Sequence, residues 1–151
     1  MKPLHISQTA WYALQATLQL AVVYPTPHIP CGRFAEAGQM PERFLLQILR
    51  TLVARGILRS IRGSDGGYAL AKPPAEISLL DIMEAIEGPI TSHYRCVSWQ
   101  NDVPQLLLWE TCEEIVDHAR QQLAKVKLSQ FVGFTDVPGA HRMPNDLRTP
   151  I

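Results

Sequence analysis

Gly56-Ile-Leu-Arg-Ser-Ile-Arg62-Gly-Ser-Asp-Gly-Gly67-Tyr-Ala-Leu70 is the stretch on which the fold turns. Two short runs flank Gly63-Ser64-Asp65-Gly66-Gly67, where glycines supply the positive φ that a tight loop needs, so the stretch predicts a β-hairpin. Arg59 and Arg62 lie three apart, and a regular strand sends such residues to opposite faces. Arg62 stands beside the hairpin tip, the better position for a guanidinium that meets phosphates or enters a minor groove.

Upstream, Phe44, Leu45, Ile48, Leu49, Leu52 and Val53 recur at helical spacing and predict a helix that starts near Met40–Pro41 and closes at Gly56. Pro41 falls in the first turn, where its missing N–H does little harm. Arg43, Gln47 and Arg50 take the opposite face, and Arg55 falls in the last turn, where the helix dipole favours a cation. A shorter helix is predicted over Cys31–Gly38, with Phe34, Ala35 and Ala37 available for packing and Gly38 suited to a left-handed C-cap. Two short helices joined by a Gly-containing turn form a helix-turn-helix, and a hairpin directly after it makes a winged helix. The segment before them, PTPHIP, is a connector. It is preceded by a helix from Ser7 to about Tyr24, whose inward face reads Ala10, Ala13, Leu14, Leu18, Ala21 and Val22.

Downstream, Ser78-Leu-Leu-Asp81 resembles a capping box opening a helix through Glu87, stopped by Gly88. Its buried side is expected to hold Leu79, Leu80, Ile82, Met83 and Ile86. Residues 89–103 read as a loop. From Pro104 to about Leu128 a long helix carries the stripe Leu108, Cys112, Ile115, Ala119, Leu123 and Val126. A small winged domain cannot easily cover such a stripe, so pairing with a second copy is expected over packing back on the first helix of the same chain. The fold class is thus mainly α with a small β wing: a winged-helix DNA-binding domain at 1–75, a linker helix, loop and dimerisation helix at 76–132, and a flexible tail at 133–151.

The 151 residues carry equal numbers of basic and acidic side chains, but the balance is a cancellation. Residues 1–75 hold eight bases and three acids, net +5, while 76–151 hold six and eleven, net −5. Six of the eight N-terminal bases are arginine, whose planar fork suits phosphate and guanine. No apolar run approaches the roughly 20 residues of a membrane span, and the N-terminus lacks the pattern of a secretion signal, so a cytoplasmic protein is expected. An enzyme is not expected: no nucleophile–base pair or paired carboxylates stand at catalytic spacing. The glycine loop is no phosphate loop either, because no helix with Lys-Ser/Thr follows it.

Trp11-Tyr12-Ala13-Leu14, Phe44 to Leu52, Gly56-Ile57-Leu58, the wing Arg62-Gly63-Ser64-Asp65-Gly66-Gly67-Tyr68 and Ile77 to Gly88 together resemble the Rrf-two family of bacterial winged-helix regulators. The resemblance covers about residues 1–130 and implies a homodimer on double-stranded palindromic operator DNA, with the long helix crossing to the partner. Cluster-binding members carry three cysteines in the loop before that helix. Here Cys96 stands at the first position, and VSWQNDVPQLLLW follows without cysteine or histidine, so no cofactor is predicted. Alternatives are an iron–sulfur or thiol-redox sensor using Cys96, and a protein-interaction module that has lost DNA reading. Cys112 reads as a small buried residue on the apolar stripe. Cys31, at a helix start, reads as a packed thiol or one whose pKa the helix dipole lowers. Trp11, Trp99 and Trp109 could line an effector pocket, and the effector itself is not legible.

The expected function is a sequence-specific DNA-binding transcriptional regulator, a repressor, that needs no membrane. Pro41 opens the recognition helix. Arg43 suits guanine O6/N7, Gln47 adenine, and Glu42 either cytosine N4 or the helix N-terminus. Arg59, Arg62, Gly63 and Ser64 are expected on the DNA backbone.

Overall fold

The computed structural model describes residues 6–25, 28–91 and 102–133. The expectations for the sensor loop with Cys96 and Trp99, and for the tail beyond Gly133, lie outside these residues.

Helix α1 runs over Gln8–Val22, and Ser7 is its N-cap, with the hydroxyl oxygen accepting from the Ala10 N–H at 3.1 Å. Its inward face differs from the expected one. Ala10, Ala13, Ala16, Leu20 and Ala21 are buried, whereas Leu18 is half-buried and Val22 is 52% exposed. The rotation brings small side chains to the contact, so α3 and α4 can approach α1 closely. It also buries Thr17, whose hydroxyl is satisfied by the carbonyls of Ala13 and Leu14 at 2.9 and 3.0 Å.

Helix α2 spans Cys31–Gly38 and α3 spans Glu42–Ala54. Pro41 caps α3 rather than entering its first turn, and Arg55 is the C-cap. The left-handed residue between the two helices is Gln39 (φ 50°), not Gly38. Gly38 ends α2, and the buried Met40 side chain lies where a Cβ at Gly38 would stand. Phe34 is fully buried, Ala37 is exposed, and Leu45, Ile48, Leu49 and Leu52 form the inward face of α3. Phe44 sits at the rim, edge-on to Tyr12 with ring centroids 6.1 Å apart.

Strands β1 (Leu58–Ile61) and β2 (Gly67–Leu70) pair antiparallel, with Leu58 opposite Leu70 and Ser60 opposite Tyr68. The connector supplies a third rung. Ile29 and Tyr68 exchange backbone hydrogen bonds of 2.8 and 3.0 Å, which ties the wing to the start of the helix-turn-helix.

After a 3-10 turn at Pro74–Glu76, α4 covers Leu79–Glu87. Its capping box is complete: Ser78 Oγ accepts from the Asp81 N–H at 3.0 Å, and Asp81 Oδ2 accepts from the Ser78 N–H at 2.9 Å. Ile82, Met83 and Ala85 are buried, while Leu79, Leu80 and Ile86 are only partly so. Ile82 and Ala85 join α1, α3 and Leu128 in one core.

Helix α5 runs over Val103–Lys125 and contains no buried residue. Leu108, Cys112, Ile115 and Ala119 of the expected stripe are all exposed, so in the single chain Cys112 is not a core residue. Nor does α5 fold back on α1. It lies against α4, where the Arg120 guanidinium pairs with the Glu84 carboxylate and donates to the Ile90 carbonyl at 3.1 Å. The cause is the return segment behind it. Leu79 N–H donates to Val126 O at 3.0 Å and Leu128 N–H to Ile77 O at 2.9 Å, which anchors the C-terminal end of α5 to the start of α4. Among the described residues no helix is long and apolar enough to cross a membrane.

Candidate nucleic-acid interface

Helix α3 keeps its amphipathic division on folding. Its apolar side fills the core, and Pro41, Glu42, Arg43, Gln47 and Arg50 all lie exposed on the outer side. Arg43, Gln47 and Arg50 follow at spacings of four and three, so they form one ridge. None of the three side chains makes a hydrogen bond or ion pair among the described residues. Unpaired long polar side chains in a row on a rigid helix are available to a partner.

The wing faces this helix across a groove of about 370 Å³. Leu46 of α3 and Cys31 of α2 form one side, and Ser60, Arg62, Gly63 and Tyr68 form the other. Arg62, Gly63 and Ser64 are exposed, and Gly63 adopts φ 119°, a conformation a Cβ would strain. Arg59 is exposed too, but it lies outside the groove. The structure thus brings Arg62 and Gly63 to the groove beside α3, while Arg59 does not line it. Asp65 at the wing tip is the acid among these bases.

Sequence reasoning missed Ser60, Leu46 and Tyr68 as groove residues. Ser60 and Ile61 line the groove with Arg62 because the strand ends at Ile61 and the chain turns into the wing tip there. Tyr68 and Leu46 depend on the Ile29 rung and on the packing of α2, which no local pattern reports.

Gly67 makes the rung possible. A Cβ at this position would overlap the backbone carbonyl of Ile29. Gly67→Ala is expected to push the connector off β2, break both Ile29–Tyr68 hydrogen bonds and destabilise the fold by about 2–3 kcal/mol. Urea unfolding reads the destabilisation, and accelerated exchange of the Tyr68 amide locates it. A variant with unchanged midpoint and protection would refute the role.

Cys31 borders the same groove and is half-buried. Burial first, and then the nearby Glu42 carboxylate, push its thiol above the ordinary value. The lowering expected from the helix dipole is therefore overridden, and the thiol stays protonated at neutral pH. Trp11 lies on a separate apolar cleft of about 380 Å³ with Leu14, Leu18 and Phe131, and Trp109 does not line it.

Comparison with known proteins agrees with this architecture. A family model described as Rrf2, iron-dependent transcriptional regulator, matches residues 6–133. A Mycobacterium tuberculosis relative is 38% identical over 89 residues, 59% of this chain and 55% of its own length, so the match spans about half of that protein. A Rhodobacter capsulatus protein named rrf2-like is 33% identical over 129 residues, 83% of this chain and 81% of the relative. Among solved structures, CymR of Bacillus subtilis superposes with a TM-score of 0.74 at 28% identity, covering 89% of this chain and 100% of CymR.

The family description names iron, and the described donors do not assemble for it. Cys31 sits under the wing, Cys112 lies exposed on α5, and among the described residues no group of three or more His, Cys, Asp or Glu side chains could hold a metal ion. The match over residues 6–133, carried by a helix-turn-helix with a hairpin wing, makes this chain a member of the Rrf2 family of transcriptional regulators and not an enzyme.

Proposed function

We propose that this chain is a homodimeric, sequence-specific repressor of the cytoplasm that lays α3 of each protomer in the major groove of a palindromic operator and rests each wing on the flanking backbone. The observation that carries the reading is the outward, unpaired ridge Arg43-Gln47-Arg50 beside a groove closed by Arg62 and Gly63. On a duplex, Arg43 donates in bidentate fashion to guanine O6/N7 and Gln47 pairs with adenine. Glu42, in the first turn of α3, complements the helix dipole and accepts from cytosine N4. Arg62, Arg59 and the Gly63 and Ser64 amides hold phosphates, and Pro41 sets where the helix enters. Dimerisation is supported by the uncovered apolar side chains of α5, among them Leu107 at 62% and Leu108 at 66% exposed. A dimer seated on a promoter blocks access to it, hence repression.

Selection from a random duplex pool, followed by fluorescence anisotropy across a salt series, tests the reading. Arg62→Ala is expected to weaken every duplex alike and to lower the salt slope by about 0.9 for each phosphate no longer neutralised. Arg43→Ala is expected to forfeit about 1–3 kcal/mol of discrimination at one base position per half-site. A pool that yields no enriched sequence, or an Arg62→Ala protein with wild-type affinity and slope, would refute it.

A further inference from the structure

Apart from the wing groove, with which it shares no lining residue, lies a second cavity of about 260 Å³. Its walls come from several elements: Arg55, the C-cap of α3; Lys72, just after β2; Glu76, in the 3-10 turn; and Asp81 and Glu84 of α4. Two of the carboxylates are committed. Asp81 closes the capping box, and Glu84 accepts from the Ile90 N–H at 3.1 Å while pairing with Arg120. Arg55, Lys72 and Glu76 are not: among the described residues their side chains form no hydrogen bond or ion pair. Ile57 and Ile77, both buried, line the cavity with apolar surface.

We propose that this cavity binds a small zwitterion of the α-amino-acid class, and that the bound molecule is the regulator's effector. The free guanidinium and ammonium receive a carboxylate, and the free Glu76 carboxylate, with Asp81 beside it, receives an ammonium. A simple anion would meet the acids, and a simple cation would meet Arg55 and Lys72, so both are disfavoured against a molecule that carries both charges. The volume lies below the roughly 300–1,000 Å³ of drug-sized sites, which restricts the ligand to a small metabolite. Position gives the cavity its consequence. It joins the end of α3 to α4 and to Pro89, one residue before the Ile90 carbonyl that Arg120 of α5 holds. A ligand there fastens the base-reading helix to the helix that carries the dimer face, so it changes operator affinity by the difference in its own affinity for free and DNA-bound geometries. This effector role rests on the operator-binding reading; the ligand site does not.

The test uses the full chain without DNA, titrated with each proteinogenic L-α-amino acid and followed by amide NMR. At least one is expected to move the Ile57, Lys72, Ile77 and Ala85 amides saturably. Its N-acetyl and carboxamide derivatives, and the Arg55→Gln and Glu76→Gln proteins, are each expected to bind about tenfold or more weakly, as removal of one charge-assisted hydrogen bond requires. Both substituted side chains belong to exposed residues, so the spectrum elsewhere stays unchanged. No shift at about 10 mM ligand, enough to fill any site with a Kd of about 1 mM, overturns the site; so does a derivative that binds as well as the parent. The amino acid that binds is then expected to change operator affinity about fivefold or more. Equal operator affinity with and without it overturns the effector role. A protein that binds the amino acid but no duplex leaves the ligand site standing and removes the DNA reading instead.

Discussion

On the proposed dimeric, operator-binding reading, Leu108→Glu together with Ile115→Glu should yield a folded monomer that does not hold the operator. The two residues are seven apart on α5, which puts them on one helix face, and they are 66% and 63% exposed in the single chain. Neither contributes to the core, so the substitutions leave the fold intact and act on association alone. Burying each such side chain against a second copy is worth about 1.5–3 kcal/mol, and a symmetric interface uses every one twice. Removing two per protomer therefore withdraws about 6 kcal/mol or more, and carboxylates brought into an apolar seam oppose pairing further. The dimer dissociation constant is expected to rise by more than about a thousandfold. Operator binding falls with it, because one α3 reads a single half-site and the second attachment is no longer intramolecular. Sedimentation velocity and anisotropy on a palindromic duplex measure the two effects, and circular dichroism confirms retained helix. A double variant that sediments as a dimer would show that α5 is not the pairing face.

Phe34→Ala should be the most damaging single truncation in the helix-turn-helix. Phe34 is fully buried and belongs to the same core as Leu14, Leu45, Leu49 and Leu58. Truncating a buried Phe costs about 3–5 kcal/mol, transfer and cavity together. Against a total stability of about 5–15 kcal/mol this is a large share of what holds the domain folded. Helix α2 has few other anchors: Phe34 is its single buried residue. The urea midpoint should drop accordingly with an unchanged m-value, measured at fixed protein concentration so that the proposed dimerisation contributes equally to both proteins. Phe34→Leu, which keeps most of the volume, should lose less than half as much. Equal losses for the two variants, or a loss below about 1 kcal/mol for alanine, would mean that α2 is held by something other than this side chain.

Much of the fold was legible because its signals are local. Ser7 and Ser78 mark helix starts through side chains that reach back to their own first turn, and both caps form as the sequence predicts. The glycines of the wing announce a loop that few other residues could close. The apolar stripe of α3 and its polar ridge divide as the 3.6-residue period requires. The outward placement of the candidate residues was legible where it depends on that period, at Arg43 and Gln47, and on nearness to the glycine loop, at Arg62. Gly38 and Gln39 show the limit. Sequence favours glycine for a left-handed position, yet the place was taken by Gln39, while Gly38 is the last residue of α2 with the Met40 side chain against it.

Sequence alone determined the order of elements, the two charged halves and the residues offered on the recognition helix, since each follows from spacing and composition along a few consecutive turns. Only the tertiary structure decided which face of α1 is buried, that Ile29 pairs with Tyr68 across the closeness Gly67 allows, that α5 stands clear of α1 with its apolar stripe uncovered, and that Arg55, Lys72 and Glu76 meet around one cavity. Each of these joins residues distant in the chain, and a contact of that kind is fixed by how volumes and backbone hydrogen bonds fit together in space, which no local pattern carries.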